Sequence, residues 1–188
     1  MHRWALASAI VAPVSLIGGW TWAGSVQPRG YDPLRDTISA LAADGAIDRW
    51  IMTLGLAVLG LCHLVTAAGL TDAGRVSRAL LAVGGVATIG VAALPQPSAG
   101  HVPAATVAFL ALAVWPAACR LPWRRSAQLA AVALVAMLVW LAFELHGGEL
   151  LGLSERVLAS AEALCPLAFA FAVACRQLGK VTAPDRIR

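Results

Sequence analysis

Charge is what this chain has least of. Of its 188 residues only 13% are Asp, Glu, Lys or Arg, while 60% are hydrophobic and the mean hydropathy is +0.77. A soluble domain carries charge at about a quarter of its positions and interleaves it with apolar residues, so that class is excluded. Cysteine is also sparse: Cys62, Cys119, Cys165 and Cys175 show no CxxC spacing. Neither a zinc knuckle nor a disulfide frame follows from such spacing. All four fall within or at the end of an apolar run and read as small apolar fillers. The sequence has no HExxH, HxxxH, GxSxG or Walker pattern, which removes the common zinc-hydrolase, nucleophile-elbow and phosphate-loop sites. No metal and no cofactor is expected. Gly147-Gly148 is a turn signal rather than a phosphate cradle.

What the chain does have is apolar runs, six of them, at about 4–24, 50–70, 79–94, 102–119, 126–145 and 155–175. A helix rises about 1.5 Å per residue, so about 20 residues cross a hydrocarbon core of about 30 Å. The fold class predicted is all-α: a polytopic bundle of six transmembrane helices. Six spans and their short connections leave nothing over for a soluble domain, so residues 1–188 read as one integral membrane domain. The net charge of +4 and pI near 9.3 reflect basic residues in alternate gaps, not a nucleic-acid surface. With the N-terminus inside, Arg3, Arg75, Arg78, Arg120, Arg124, Arg125, Arg176, Lys180, Arg186 and Arg188 face the cytoplasm, and Arg29, Arg35, Arg49 and Arg156 face out. Basic residues resist translocation, so ten against four predicts both termini cytoplasmic in the cell membrane. The first run also resembles a secretory signal; its length, and Trp4 and Trp22 near its ends, favour a retained span anchored at both interfaces.

The three outward gaps hold most of the carboxylates and two of the four histidines, His101 and His146. That asymmetry puts any site on the non-cytoplasmic side. In the first gap, Tyr31 to Gly45 reads as a short interfacial helix from about Pro33 to Ala43. Asp32 suits the cap, Pro33 the first helical position and Gly45 the stop. Leu34, Ile38 and Leu41 then share one stripe, flanked by Arg35 and Ser39. The candidate binding residues are Arg35, Asp36, Ser39, His101, Glu155 and Arg156, converging on one polar vestibule. His146 and Glu149 also belong to these gaps. Histidine and carboxylate supply protons, and Arg holds an anion or pairs with a carboxylate. The competing reading is a solvated rim of ion pairs at the span ends.

Inside the spans, Glu162 stands out. Glu155, Ala159 and Glu162 share one helical face by i, i+4, i+7 spacing. A carboxylate at membrane depth is expensive, so it should face the protein interior as a site or as a hydrogen-bonded anchor between helices. Asp36, His101 and Glu162 are the candidates for proton transfer. His63, deep in the second span, reads as a neutral histidine bonded to a backbone carbonyl or a Thr hydroxyl. Glu144 ends the fifth span, placed to pair with Arg156 or to cap the following loop.

Three motifs carry a resemblance: YDPLRDTISALAADG after the first span, PQPSAGH before the fourth, and GLSER at the start of the sixth. Together they resemble the bacterial and archaeal membrane family called domain of unknown function 998, in the same order over nearly the whole chain. His101 matches the family's loop histidine, and Glu155-Arg156 its Glu-Arg pair. Leu94-Pro95 stands where members show Phe-Pro, and Gln96-Pro97 where they often place an acid or cysteine; the second departure weakens a metal or acid role for that loop. The resemblance implies no activity, only a distant kinship with six-helix membrane proteins that handle lipids.

The function expected is therefore binding or handling of a lipid or lipid-like small molecule at the outward vestibule, with membrane lipids and an apolar small molecule as partners. A membrane-embedded enzyme using acid–base chemistry on a lipid or isoprenoid substrate is the alternative. A small transporter is the third class, disfavoured because no internal repeat and no matched pair of broken helices is seen.

Overall fold

In hydrocarbon every backbone N–H and C=O must be bonded within the protein, so apolar runs of this length become helices. The computed structural model, which describes residues 2–182, contains α1 Arg3–Ser25, α2 Trp50–Gly69, α3 Arg75–Ala93, α4 His101–Val114, α5 Arg124–Glu144 and α6 Leu151–Thr182. All six are long and apolar enough to cross a membrane, α4 together with the 3₁₀ turn Trp115–Ala118 that continues it. The described residues contain no strand. The predicted limits shift most at α6, which starts at Leu151 and runs to Thr182. Glu155 and Arg156 therefore lie on its first turns.

The helices form a ring in chain order, each packed on the next, and α6 closes the ring against α1. Packing around the ring is uneven. A β-carbon on Gly60 of α2 would lie 2.6 Å from the Gly85 carbonyl oxygen of α3, and one on Gly85 would lie 2.7 Å from the Gly60 carbonyl oxygen. Only glycine lets the two backbones touch in this way. The α4–α5 seam is the loosest between neighbours in the ring.

The surface is the inverse of a soluble protein's. Ile10, Val14, Leu54, Leu61, Leu129, Val132 and Phe143 point outward and are exposed. Water would penalise so large an apolar belt; lipid does not. Trp4, Trp22 and Trp50 are half-exposed near span ends, where amphipathic rings anchor a helix at the membrane interface. At one end, the basic face, lie the α2–α3 and α4–α5 connections with Arg75, Arg78, Arg120 and Arg124. There Arg78 donates to the Ala67 and Ala68 carbonyls, closing the C-terminus of α2. The other end, the loop face, carries the long 26–49 segment.

That segment departs from the predicted helix. Only Ser39–Ala42 is helical, as a 3₁₀ turn, preceded by a tight turn over Asp32–Asp36. The Asp32 carboxylate accepts from the Leu34 N–H at 2.9 Å, and the Asp36 carboxylate from the Asp32 N–H at 2.8 Å. Thr37 Oγ1 takes the Ala40 N–H at 3.0 Å. Side chains thus satisfy the donors that a helix would have used. Ile38 and Leu41 are buried as the stripe predicted, but Leu34 is 47% exposed.

Candidate functional site

The first turns of α6 grip this segment. Arg156 Nη1 donates to the carbonyls of Pro33 at 2.7 Å, Asp36 at 2.7 Å and Gly152 at 2.9 Å. Its Nη2 donates to the Tyr31 hydroxyl. The Leu153 N–H donates to the Leu34 carbonyl at 3.0 Å. The contact is close enough that a β-carbon on Gly152 would fall 2.3 Å from the Asp36 carbonyl oxygen. Glu155 completes the latch, accepting from the Ile38 N–H and, at 3.2 Å, from the Ser39 hydroxyl. These bonds explain why the predicted helix is lost: its backbone groups bond to α6 instead of to one another. They also correct the expectation that Arg156 pairs with a carboxylate. Its fork serves backbone carbonyls, for which a planar five-donor group is well shaped. Burial pushes the Tyr31 phenol above its ordinary range, outweighing the downward pull of the Arg156 guanidinium.

The other outward residues meet the segment at its rim. Arg35 is exposed and lies 3.5 Å from the Glu149 carboxylate and 3.7 Å from that of Asp32. Exposed pairs of this kind add little stability. The Asp44 N–H donates to the Gln96 carbonyl at 2.9 Å, so the α1–α2 and α3–α4 connections touch. His101 opens α4; it is buried and its Nδ1 lies 2.8 Å from the Leu94 carbonyl oxygen. His146, in the turn after α5, is exposed and bonds the Ala142 carbonyl of that helix. Glu144 caps the loop, accepting from the Leu150 N–H and from Trp140 Nε1. An open polar vestibule is therefore not what forms: the 31–42 segment is bonded down onto α6, and Ser39, His101 and Glu155 are buried.

Below this cover lies a narrow cavity of about 50 Å³, walled by α1, α2, α3, α4 and α6. Glu155, Ala159 and Glu162 run down one side of it, confirming that the three share a face. Seven residues of helix separate the two glutamates, about 10 Å at 1.5 Å per residue. Thr88, His63 and Glu162 bring polar groups to the cavity, and Phe109 and Leu112 are among its apolar walls. Glu162 is 2% and His63 1% exposed. Neither nitrogen of His63 has a hydrogen-bond partner, and neither does Oε1 of Glu162. The expected carbonyl or Thr partner for His63 is absent, and the hydroxyl protons of Thr66 and Thr88 point elsewhere. Thr66 donates to Ser8 Oγ at 3.3 Å and Thr88 to the Gly84 carbonyl at 2.8 Å. One turn beyond Glu162, Pro166 interrupts α6; it has no N–H to donate to the Glu162 carbonyl, which loosens the helix at the carboxylate.

At the loose α4–α5 seam a second space opens sideways, a groove of about 300 Å³ lined by α4, α5 and the start of α6. Val102, Leu110 and Leu145 on its lips are exposed, so the groove opens through the apolar belt. Ser39, Ala105, Phe109 and Glu155 line both groove and cavity, and His101 lines the groove. Sequence reading named Glu162, Ser39, His101 and Glu155 as candidates but passed over Tyr31 and the cavity that His63 shares with Glu162. The YDP start of the first motif was the available signal for Tyr31. For His63 there was only its depth in a span. Among the described residues no three His, Cys, Asp or Glu side chains are grouped to hold a metal ion.

Residues 9–173 match the family model described as Protein of unknown function (DUF998). No curated protein and no solved structure matches the chain.

Proposed function

We propose that this chain, which belongs to the DUF998 family of proteins of unknown function, binds a lipid or lipid-like small molecule that enters sideways from the membrane. The observation that carries the reading is adjacency: the lateral groove and the buried cavity share the walls Ser39, Ala105, Phe109 and Glu155. A ligand's apolar chain in the groove exchanges one hydrocarbon surrounding for another. Its polar end reaches the few polar groups of the interior. The groove stands at the lower limit of small-molecule sites, which run from about 300 to 1,000 Å³. Arg156 serves this site indirectly, by holding the covering segment through the Pro33 and Asp36 carbonyls, while Arg35 stays at the exposed rim.

The ligand test is a plug at the junction. Ala105→Trp places a bulky side chain at the wall that groove and cavity share. The purified wild-type protein should carry a lipid-like molecule detectable by native mass spectrometry, and A105W should lose it. A wild-type protein that carries nothing, or a variant that carries the same molecule equally well, would defeat the reading. The site's side of the membrane rests on the basic bias: the loop face lies outside, and both termini are cytoplasmic in the cell membrane. A cytoplasm-active reporter fused after Arg188 and an exterior-active one inserted at Gly147 should both give signal; silence from both defeats this orientation.

One observation favours acid–base catalysis on such a molecule as the second reading. Glu162 and His63 line one cavity and neither is fully bonded, an arrangement able to give and take a proton from a bound substrate.

A further inference from the structure

We infer that the polar end admitted to the buried cavity is a hydroxyl, so that the ligand is a long-chain alcohol rather than a phosphate ester, an acid or an amine. The inference rests on the ligand-binding reading above and specifies it. Three buried atoms define what the cavity asks for: Nδ1 and Nε2 of His63 and Oε1 of Glu162, none with a partner in the protein. Buried polar atoms left unbonded are costly, and native proteins rarely keep them without a reason. A neutral imidazole offers one N–H donor and one lone-pair acceptor, and the carboxyl oxygen adds a second acceptor. The complement to one donor and an acceptor is a group that accepts and donates through a single atom. A hydroxyl does this: it takes the His63 N–H and gives its own proton to Glu162 Oε1.

The other head groups fit less well. A phosphate or carboxylate would bring negative charge beside Glu162, and no Arg or Lys lines the cavity. The cation nearest in the chain, Arg156, is committed to three backbone carbonyls and Tyr31. An unpaired charge at such a depth is strongly disfavoured. An ammonium could donate to the His63 lone pair and to Glu162, but it leaves the His63 N–H without an acceptor and carries a full charge into a largely apolar cavity, where a hydroxyl carries none. Size points the same way. The cavity of about 50 Å³ is well short of the roughly 300 Å³ at which whole-molecule sites begin, so it takes the tip of a ligand. The chain behind that tip passes Ala105 and Phe109 into the groove.

The test is a competition among compounds with one chain and different ends. The full-length protein in lipid nanodiscs is photolabelled with a diazirine-bearing hexadecanol. Hexadecanol, hexadecylamine, hexadecyl phosphate, palmitic acid and hexadecane then compete for the label. Hexadecanol should compete at least about tenfold better than each of the others, the scale of one bonded buried group. That preference should collapse in Glu162→Leu and His63→Leu. It should persist in His63→Gln, whose amide keeps a donor and an acceptor. If every compound competes equally, or the amine or phosphate wins, the hydroxyl assignment is overturned while the binding reading stands. If no probe labels saturably, the binding reading itself falls. The wild-type order decides between these outcomes even if a variant fails to fold.

Discussion

Glu155 and Glu162 stand on the same face of α6, both buried, and their surroundings are opposite. Glu155 accepts from the Ile38 N–H and the Ser39 hydroxyl and helps hold the covering segment in place. Glu162, seven residues further into the bundle, leaves Oε1 without a partner beside an equally unbonded His63. A satisfied buried carboxylate tells of architecture: its bonds fix where a chain segment lies. An unsatisfied one lowers stability, so its retention points to an occupant that completes it. The polar residues of this protein thus divide into a latch near the loop face and, on the proposed reading, a reception point within the bundle, and one helix carries both.

The comparison can be broken by mutation, because the two sites should respond with opposite signs. The largest effect is expected from Arg156→Ala, which strips donors from the Pro33, Asp36 and Gly152 carbonyls and from Tyr31. Charged hydrogen bonds lost at partly buried acceptors should lower stability by about 2–4 kcal/mol. Thermal unfolding in detergent, followed by reaction of the buried Cys62 with a thiol dye, would show the loss. Arg156→Lys should recover only a fraction of it, since one ammonium cannot reach the fork's partners. An R156A protein as stable as wild type would erase the distinction between latch and reception point.

A smaller effect, of the other sign, is expected at Glu162. Replacing a buried, incompletely bonded carboxyl by an apolar side chain of similar size should leave stability unchanged or raise it by about 1–2 kcal/mol. Glu162→Leu should nonetheless lose the co-purifying ligand. A drop in melting temperature as large as that of R156A would mean that Glu162 is an anchor like Glu155.

The smallest effect belongs to Tyr31, where pH sharpens the picture of the latch. Its phenol titrates above the ordinary value of 10.0 because burial disfavours the phenolate. The unfolded chain therefore gives up this proton first. Stability from Tyr31 is complete below the ordinary value and falls as pH rises through and above it. Tyr31→Phe should cost less than about 1 kcal/mol at neutral pH and should flatten that alkaline decline. An unaltered decline in the variant would assign it to other groups.

Much of the architecture was legible in the residues. Six apolar runs became six helices because hydrocarbon leaves the backbone no other partner, and Glu162 faced inward because lipid penalises a carboxylate by roughly 3 kcal/mol. The common face of Glu155, Ala159 and Glu162 follows from helical spacing alone. The 31–42 segment was misjudged for the converse reason. Its cap, proline and glycine describe a helix correctly in isolation, but Glu155, Arg156 and Leu153 arrive from more than a hundred positions away and take its backbone groups. His63 was expected to find a local carbonyl or Thr partner, and it has none.

The sequence by itself determined the medium, the number of spans and the depth of each polar residue, because these depend on local quantities: the transfer energy of a run and the period of a helix. Tertiary structure alone decided that Arg156 would be a latch rather than half of an ion pair, that α4 and α5 would part to leave a groove, and that His63 would share a cavity with Glu162. Those outcomes depend on how ring closure juxtaposes helices distant in the chain. Which polar atoms find partners is settled only when every competitor for them has been placed.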